Sequence, residues 1–131
     1  MAVRNVILLS VRSGSAERIY SGEQKVELRK TMIHRWTNPV LLYEPGPVCK
    51  VTGMMRFSQR RQVRADDSLA RSDACLSVEE MAEYSRGKIL YAYDIAEARR
   101  FDEPRTLDEM GIEGSPSPSY RYVRVPVEVL E

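Results

Sequence analysis

Residues 21–30 read SGEQKVELRK, and the rest of the predicted fold is built around them. From Lys25 to Arg29 charged and apolar side chains alternate with a period of two, which is typical of a β-strand. The apolar side chains of Val26 and Leu28 would then share one face. The opposite face would carry the charged side chains of Lys25, Glu27 and Arg29. A solvated edge strand shows the same alternation, so the neighbouring segments must decide what the charged face does.

Length and composition predict one globular domain over residues 1–131. The hydrophobic fraction is 43% and the charged fraction is 30%, which exclude a disordered or fibrous protein. No apolar run approaches the roughly 20 residues that span a bilayer. The opening segment MAVRNVILLSVR lacks the features of a signal peptide. The sequence therefore predicts a cytoplasmic protein without a membrane segment.

The cysteines and the histidine restrict metal chemistry. Cys49 and Cys75 have no CxxC partner, and the chain contains one histidine, which is too few ligands for a zinc site. We therefore expect two reduced thiols, no metal and no cofactor.

Basic and acidic side chains nearly balance over the whole chain. The formal net charge of +1 argues against binding nucleic acid by bulk electrostatics. The segment SQRRQVRADD is the most basic part of the chain, with Arg60 and Arg61 at its centre. These arginines either face solvent on a strand or form part of a rim that contacts phosphate.

Glycines and capping residues divide the chain into short strands and helices. Gly22 ends a helix, Gly53 within a strand marks a β-bulge or a close backbone approach, and Ser77 with Glu80 forms a capping box. The predicted strands are 5–12, 25–31, 39–44, 48–57, 88–98 and 120–129, and the predicted helical segments are 15–21, 76–87 and one turn at 106–111. These elements predict an α+β class, a small curled sheet or β-barrel of about five or six strands with two or three short helices.

The order of these segments resembles that of an ASCH domain, a family of PUA-like β-barrels. The family signature is a glycine, lysine, glutamate and arginine in the spacing G-x-K-x-x-E-x-R. Gly22, Glu27 and Arg29 fall in register with it, whereas Gln24 occupies the lysine position and Lys25 stands one place later. The family also has a late proline-serine-aromatic loop, to which Pro118, Ser119 and Tyr120 correspond. The resemblance covers nearly the whole chain and implies a PUA-like barrel.

The resemblance also implies a function, which is binding of RNA or a modified nucleoside in a cleft beside the strand 25–31. Cationic side chains there would contact phosphate or a base edge, Glu27 would accept from an exocyclic amine, and tyrosines would stack on a base. The alternative is that Glu27 and Arg29 form an ion pair that only closes the barrel. The residues expected to bind nucleic acid are Lys25, Arg29, Tyr43, Arg60, Arg61 and Tyr120.

Two other classes of function stay open at this point. Some ASCH proteins are amidohydrolases of acylated cytidine that use the signature lysine and a threonine at the signature glutamate position, where this chain has Gln24 and Glu27. A ribonuclease would instead need a general base and a phosphate clamp. The candidate catalytic residues are Lys25, Glu27, Tyr43 and Ser119. A module that binds a protein partner, without any role in nucleic-acid binding, fits the near-neutral charge equally well.

Overall fold

The computed structural model describes residues 2–131 and contains one mixed sheet of six strands. The strands are β1 (Val3–Ser10), β2 (Val26–Arg29), β3 (Val40–Glu44), β4 (Lys50–Val63), β5 (Leu90–Arg105) and β6 (Tyr120–Pro126). Their order in the sheet is β2-β5-β4-β3-β1-β6. Strands β1 and β3 are parallel, and the other neighbours are antiparallel.

The described residues also form three α-helices, α1 (Ser13–Ser21), α2 (Ser68–Asp73) and α3 (Val78–Ser85), so the predicted α+β class is confirmed. Short 3₁₀ turns lie at Asp108–Met110 and Val127–Leu130. The closed barrel is not confirmed, because β2 and β6 are the two ends of the strand order and do not pair with each other. Helix α2 was not expected from the sequence, and β4 and β5 are both longer than the predicted strands.

The helix boundaries follow from local chemistry. Helix α1 ends at Gly22, whose φ of 85° is the left-handed conformation that favours glycine. Helix α3 begins with the predicted capping box: the Ser77 hydroxyl accepts from the Glu80 backbone N–H at 3.0 Å, and the Glu80 carboxylate accepts from the Ser77 N–H at 2.9 Å. The predicted end of α1 and the predicted start of α3 are therefore both confirmed.

The predicted bulge at Gly53 is present and fixes α1 against the sheet. The pairing of β4 with β5 shifts register beside Gly53. A Cβ atom at this position would lie 2.3 Å from the Arg99 carbonyl and 2.5 Å from the Tyr20 hydroxyl, so only glycine fits. The space is filled by Tyr20 of α1, whose hydroxyl lies 2.8 Å from the Thr52 hydroxyl. Close contact at this bulge holds the end of α1 against the middle of the sheet.

The sheet is buried on both faces, and a third apolar cluster covers β2. Successive residues of β1 alternate between two clusters, one with Ile7 and Leu9 and the other with Val6 and Leu8. The predicted apolar face of β2 is confirmed, because Val26 and Leu28 are both buried. The third cluster joins them to residues of the two helices that follow β4 and to β5: Ala70, Ala74, Met81, Leu90 and Ala92.

The remaining expectations concern membranes, thiols and metals. No helix within residues 2–131 has the length and apolarity needed to cross a membrane. Cys49 and Cys75 are both free thiols. Within the same described residues, no group of three or more His, Cys, Asp or Glu side chains is arranged to hold a metal ion. The cytoplasmic location stays a prediction.

Candidate functional site

A cleft of about 820 Å³ lies beside β2. The ends of β1 and β3 form one side, the loop 116–118 before β6 lies at another, and helix α3 with the segment that joins it to α2 closes the third. The residues of β2 and its flanks that line the cleft are Gln24, Glu27, Leu28, Arg29 and Lys30. The other lining residues are Ser10, Val11, Arg12, Ser15, Tyr43, Pro45, Ala74, Leu76, Glu80, Glu83, Tyr84, Arg86, Pro116, Ser117 and Pro118.

Arg29 connects the two sides of the cleft. Its Nη2 donates to the Ser10 carbonyl at 3.0 Å, which ties β2 to the end of β1. Ser10 in turn donates from its hydroxyl to the Ser117 carbonyl at 2.6 Å and from its backbone N–H to the Ser119 carbonyl at 2.9 Å. The late proline-serine loop is thereby attached to the same strand end, so elements distant in sequence meet at one cleft.

The charged wall of the cleft is a buried and incomplete ion pair. Arg29 Nη2 lies 3.6 Å from Glu27 Oε1, beyond ordinary hydrogen-bond length, and the two side chains are only 12% and 11% exposed. Glu27 Oε2 and Arg29 Nε are buried without a hydrogen-bond partner. Burial raises the pKa of Glu27, and the charge of Arg29 acts in the opposite direction. The pair therefore carries unmet hydrogen-bonding capacity on both members.

Gln24 adds a third polar group to this wall. The residue is 5% exposed, and its Nε2 donates to the Val26 carbonyl at 3.1 Å, while its Oε1 is buried without a partner. Within residues 2–131, five buried side-chain polar atoms lack a partner, and three of them belong to Gln24, Glu27 and Arg29. Since buried polar groups in proteins are ordinarily hydrogen-bonded, their concentration here marks the cleft as a candidate site.

The rim of the cleft carries both signs of charge. Arg12, Lys30 and Arg86 are exposed cations, and Glu80 and Glu83 are exposed acids. The Lys30 ammonium lies 4.8 Å from the centre of the Tyr84 ring, and the Tyr84 hydroxyl donates to the Leu28 carbonyl at 3.2 Å. Cations at the opening of a cleft are suited to contact phosphate groups of a bound molecule.

Lys25, expected beside Glu27 and Arg29, does not line the cleft. Its backbone N–H donates to the Asp73 carbonyl at 2.8 Å and its carbonyl accepts from the Ile95 N–H at 2.9 Å, and the residue is exposed. Strand β2 begins only at Val26, so the alternation of faces does not extend back through Lys25 to Gln24. The side chain in the cleft is therefore that of Gln24, the residue in the signature lysine position.

Arg60 and Arg61 also lie outside the cleft lining. Arg60 donates to the Ile33 carbonyl at 2.9 Å, with its guanidinium 5.8 Å from the centre of the Trp36 ring. Arg61 pairs with Asp94 at 3.2 Å. Both arginines contact neighbouring protein groups, so the basic segment of β4 does not form the rim of this cleft.

The predicted tyrosines and serine are only partly brought together. Tyr43 lines the cleft, but it is 5% exposed and packs in the cluster of Val6 and Leu8, which leaves no open ring face for a base. Burial, followed by the neighbouring Cys49 thiol, raises the pKa of Tyr43, so its hydroxyl keeps its proton at neutral pH. Tyr120 and Ser119 are not among the lining residues, and Tyr120 packs instead on the cluster of Ile7 and Leu9.

Several lining residues were missed by sequence reasoning. They are Ser10 at the end of β1, Arg12 just before α1, Tyr84 in helix α3 and Arg86 just after it, and all lie outside the segment of β2. No local pattern identifies them. They lie near β2 because Arg29 donates a hydrogen bond to the end of β1 and because α3 packs against β2. Lys30 lies near the end of the predicted strand 25–31, and this position could have identified it as a lining residue.

The overall fold is similar to that of solved ASCH structures from Zymomonas mobilis. One of these is 22% identical, with a TM-score of 0.77, and the match covers 89% of this chain and 86% of that one. A serine-to-alanine variant and a tyrosine-to-phenylalanine variant of the same protein are each 21% identical with TM-scores of 0.77, covering 89% and 92% of this chain and 87% and 91% of theirs. Neither the protein-family models nor the curated proteins contain a match. The chain thus has the ASCH domain fold.

Proposed function

We propose that this chain, with the fold of an ASCH domain, binds RNA or a nucleotide in the cleft beside β2. The observation that carries the proposal is the buried pair of Glu27 and Arg29, which together with Gln24 leaves three polar atoms without a partner. An unpartnered buried polar group costs free energy of folding, of order 1–3 kcal/mol. A ligand that completes these hydrogen bonds recovers part of that free energy on binding.

The size and charge of the cleft agree with this ligand class. A volume of about 820 Å³ lies within the range of small-molecule sites, roughly 300–1,000 Å³. The exposed cations Arg12, Lys30 and Arg86 at the opening would contact phosphates, while the wall of β2 would contact a base or ribose. Glu80 and Glu83 on helix α3 would repel phosphate, so the phosphates of a bound RNA would lie near the cations and away from these two carboxylates.

Titration with single-stranded RNA tests the proposal, with binding followed by fluorescence polarisation at low and moderate salt. We expect binding that weakens as salt is raised, because phosphate contacts release counterions. Lys30→Ala should weaken binding, since Lys30 lines the cleft. Lys25→Ala is the matched control, an exposed lysine at the other end of the same strand that lies outside the lining.

Two results would contradict the proposal. Absence of RNA binding at low salt would remove it and leave the protein-interaction hypothesis as the better one. Equal losses of affinity in Lys30→Ala and Lys25→Ala would show that RNA binds elsewhere on the surface.

Hydrolysis in the same cleft is a second candidate function, favoured by the raised pKa of Glu27. A buried carboxyl with a raised pKa in a cleft is suited to general acid or base catalysis. The amidohydrolase mechanism that uses the signature lysine is disfavoured, because Gln24 stands in that position and has no ionisable group. Incubation with N4-acetylcytidine and with single-stranded RNA, followed by chromatography, tests both reactions. A product that persists in Glu27→Gln would exclude Glu27, and no product at high enzyme concentration would exclude hydrolysis.

A further inference from the structure

We infer that the base held in this cleft is guanine, recognised along its Watson–Crick edge by Gln24, Glu27 and Arg29. The inference rests on the proposed binding of RNA or a nucleotide and adds to it the identity of the base. It depends on which polar atoms of the wall are free and on whether each is a donor or an acceptor.

The orientation of the Gln24 amide follows from its hydrogen bond. The Val26 carbonyl is an acceptor and needs a donor, so the amide nitrogen of Gln24 faces it at 3.1 Å. The amide oxygen is therefore the unpartnered end, and it is an acceptor. Residue 24 thus offers the cleft an acceptor, whereas the lysine of the family signature would offer a donor.

The wall as a whole offers two acceptors and one donor. The acceptors are Gln24 Oε1 and Glu27 Oε2, and the donor is the Nε–H of Arg29. Two hydroxyls of the lining are already engaged, since the Ser10 hydroxyl donates to the Ser117 carbonyl and the Tyr84 hydroxyl donates to the Leu28 carbonyl. Because the free atoms are buried, the three side chains must shift toward the cleft to reach a ligand, and the Gln24 amide keeps its Nε2 on the Val26 carbonyl as it does so.

Only guanine matches this set among the four standard bases in their neutral forms. Its Watson–Crick edge presents two neighbouring donors, the 2-amino group and N1–H, followed by the O6 acceptor. Adenine presents one donor and one acceptor, cytosine one donor and two acceptors, and uracil one donor between two acceptors. The carboxylate of Glu27 would repel the additional acceptors of cytosine and uracil, and an unpaired acceptor in a buried site weakens binding further.

Uridine hexamers with one central substitution test the inference on the complete protein. Guanosine, adenosine, cytidine or inosine is placed at the central position, and the dissociation constants are measured by fluorescence polarisation. We expect the guanosine hexamer to bind about tenfold more tightly than the others, which corresponds to one well-formed set of base contacts. The inosine hexamer lacks only the 2-amino group, so it isolates the second donor.

Substitutions at two glutamines separate recognition of guanine from overall affinity for RNA. Gln24→Leu should reduce the preference for guanosine over adenosine and cytidine, because the acceptor for one of the two donors of guanine is lost. Gln59→Leu is the matched control, since Gln59 is an exposed glutamine of β4 outside the cleft lining. Both variants are checked for folding by circular dichroism, and the comparison of hexamers on the unaltered protein decides the inference if Gln24→Leu does not fold.

The outcomes distinguish this inference from the proposal on which it rests. Equal affinities for all hexamers, or tighter binding of another base, would overturn guanine recognition and leave RNA binding in place. Failure of every hexamer to bind at low salt would overturn both. A guanosine preference that is unchanged in Gln24→Leu would remove Gln24 from the recognition set and overturn the inference as stated.

Discussion

Two pairs of a carboxylate with an arginine lie close together in the sheet and differ in how completely they are hydrogen-bonded. Asp94 of β5 is opposite Val26 of β2, one position from Glu27. Asp94 Oδ1 pairs with Arg61 at 3.2 Å, and Asp94 Oδ2 accepts from the amide of Gln59. Glu27 has a single arginine contact at 3.6 Å and one oxygen without any partner.

Exposure makes this difference informative. The side chains of Arg61 and Asp94 are 33% and 24% exposed, so water is able to hydrogen-bond both groups. Glu27 and Arg29 are much less exposed, and for them the protein supplies fewer partners. If stability were the only requirement, the buried pair of Glu27 and Arg29 would have more hydrogen-bond partners than the exposed pair. The free-energy penalty for an unmet hydrogen bond is largest where water is excluded. We therefore interpret the Asp94 pair as structural and the Glu27 pair as part of a binding site.

The largest expected effect comes from removing the arginine of each pair. Arg29→Met should lower the free energy of unfolding by about 3 kcal/mol, because it leaves the Glu27 carboxylate buried without a cation and frees the Ser10 carbonyl. Arg61→Met should lower it by less than about 1 kcal/mol, since the remaining partner Asp94 is accessible to water. Urea unfolding at neutral pH measures both values. Similar losses in the two variants would show that the pairs play the same structural role.

The next largest expected effect is on RNA binding, when the carboxylate of each pair is replaced by an amide. Glu27→Gln should weaken RNA binding at least tenfold, or about 1.4 kcal/mol, because the carboxylate is replaced by an amide that also presents a donor. Asp94→Asn should leave the dissociation constant unchanged, since Asp94 does not line the cleft. Fluorescence polarisation with single-stranded RNA measures both. A loss of affinity in Asp94→Asn equal to that in Glu27→Gln would remove the functional distinction between the pairs.

The sequence was sufficient for the part of the cleft that depends on local patterns. The period of two in residues 26–29 identified β2 and the burial of Val26 and Leu28. The glycine at position 53 identified a bulge, because no side chain fits between two strands that approach so closely. The spacing of Ser77 and Glu80 identified the start of α3. For β2 and α3 the cause lies within a few residues of the observed feature, whereas the glycine at position 53 is a local signal of close contact with Arg99 and Tyr20, which are distant in the chain.

Other parts of the site depended on contacts that no local pattern encodes. The alternation of faces was extended one residue too far, since Lys25 precedes β2 and its backbone bonds to Asp73 and Ile95 turn its side chain away from the cleft. Arg60 and Arg61 were candidates for phosphate contact because they are adjacent cations. Their actual neighbours, Trp36 and Asp94, come from segments far away in the chain. Charge along the sequence did not reveal which cations already had a partner.

A smaller effect follows from the pKa of Glu27, which burial raises above its ordinary value of 4.5. Since the pKa in the folded state lies above that in the unfolded state, the protonated carboxyl stabilises the fold below about pH 4.5, and this contribution is lost as the pH rises through the folded-state pKa. The difference in the free energy of unfolding, that of Glu27→Gln minus that of the unaltered protein, should therefore increase as the pH is raised from 4.5 toward 7. Urea unfolding over this range measures it, and a constant or decreasing difference would contradict the assignment.

The smallest expected effect is that of removing one of the two partners of Asp94. Gln59→Leu deletes the amide that donates to Asp94 Oδ2 and leaves the arginine pair in place. Water replaces the lost donor at this exposed position, so the free energy of unfolding should change by less than about 0.5 kcal/mol. Urea unfolding measures the change. A loss above about 1 kcal/mol would show that water does not replace a lost hydrogen bond to Asp94, so that Asp94 is as poorly hydrated as Glu27. The distinction between a structural pair and a binding pair would then no longer hold.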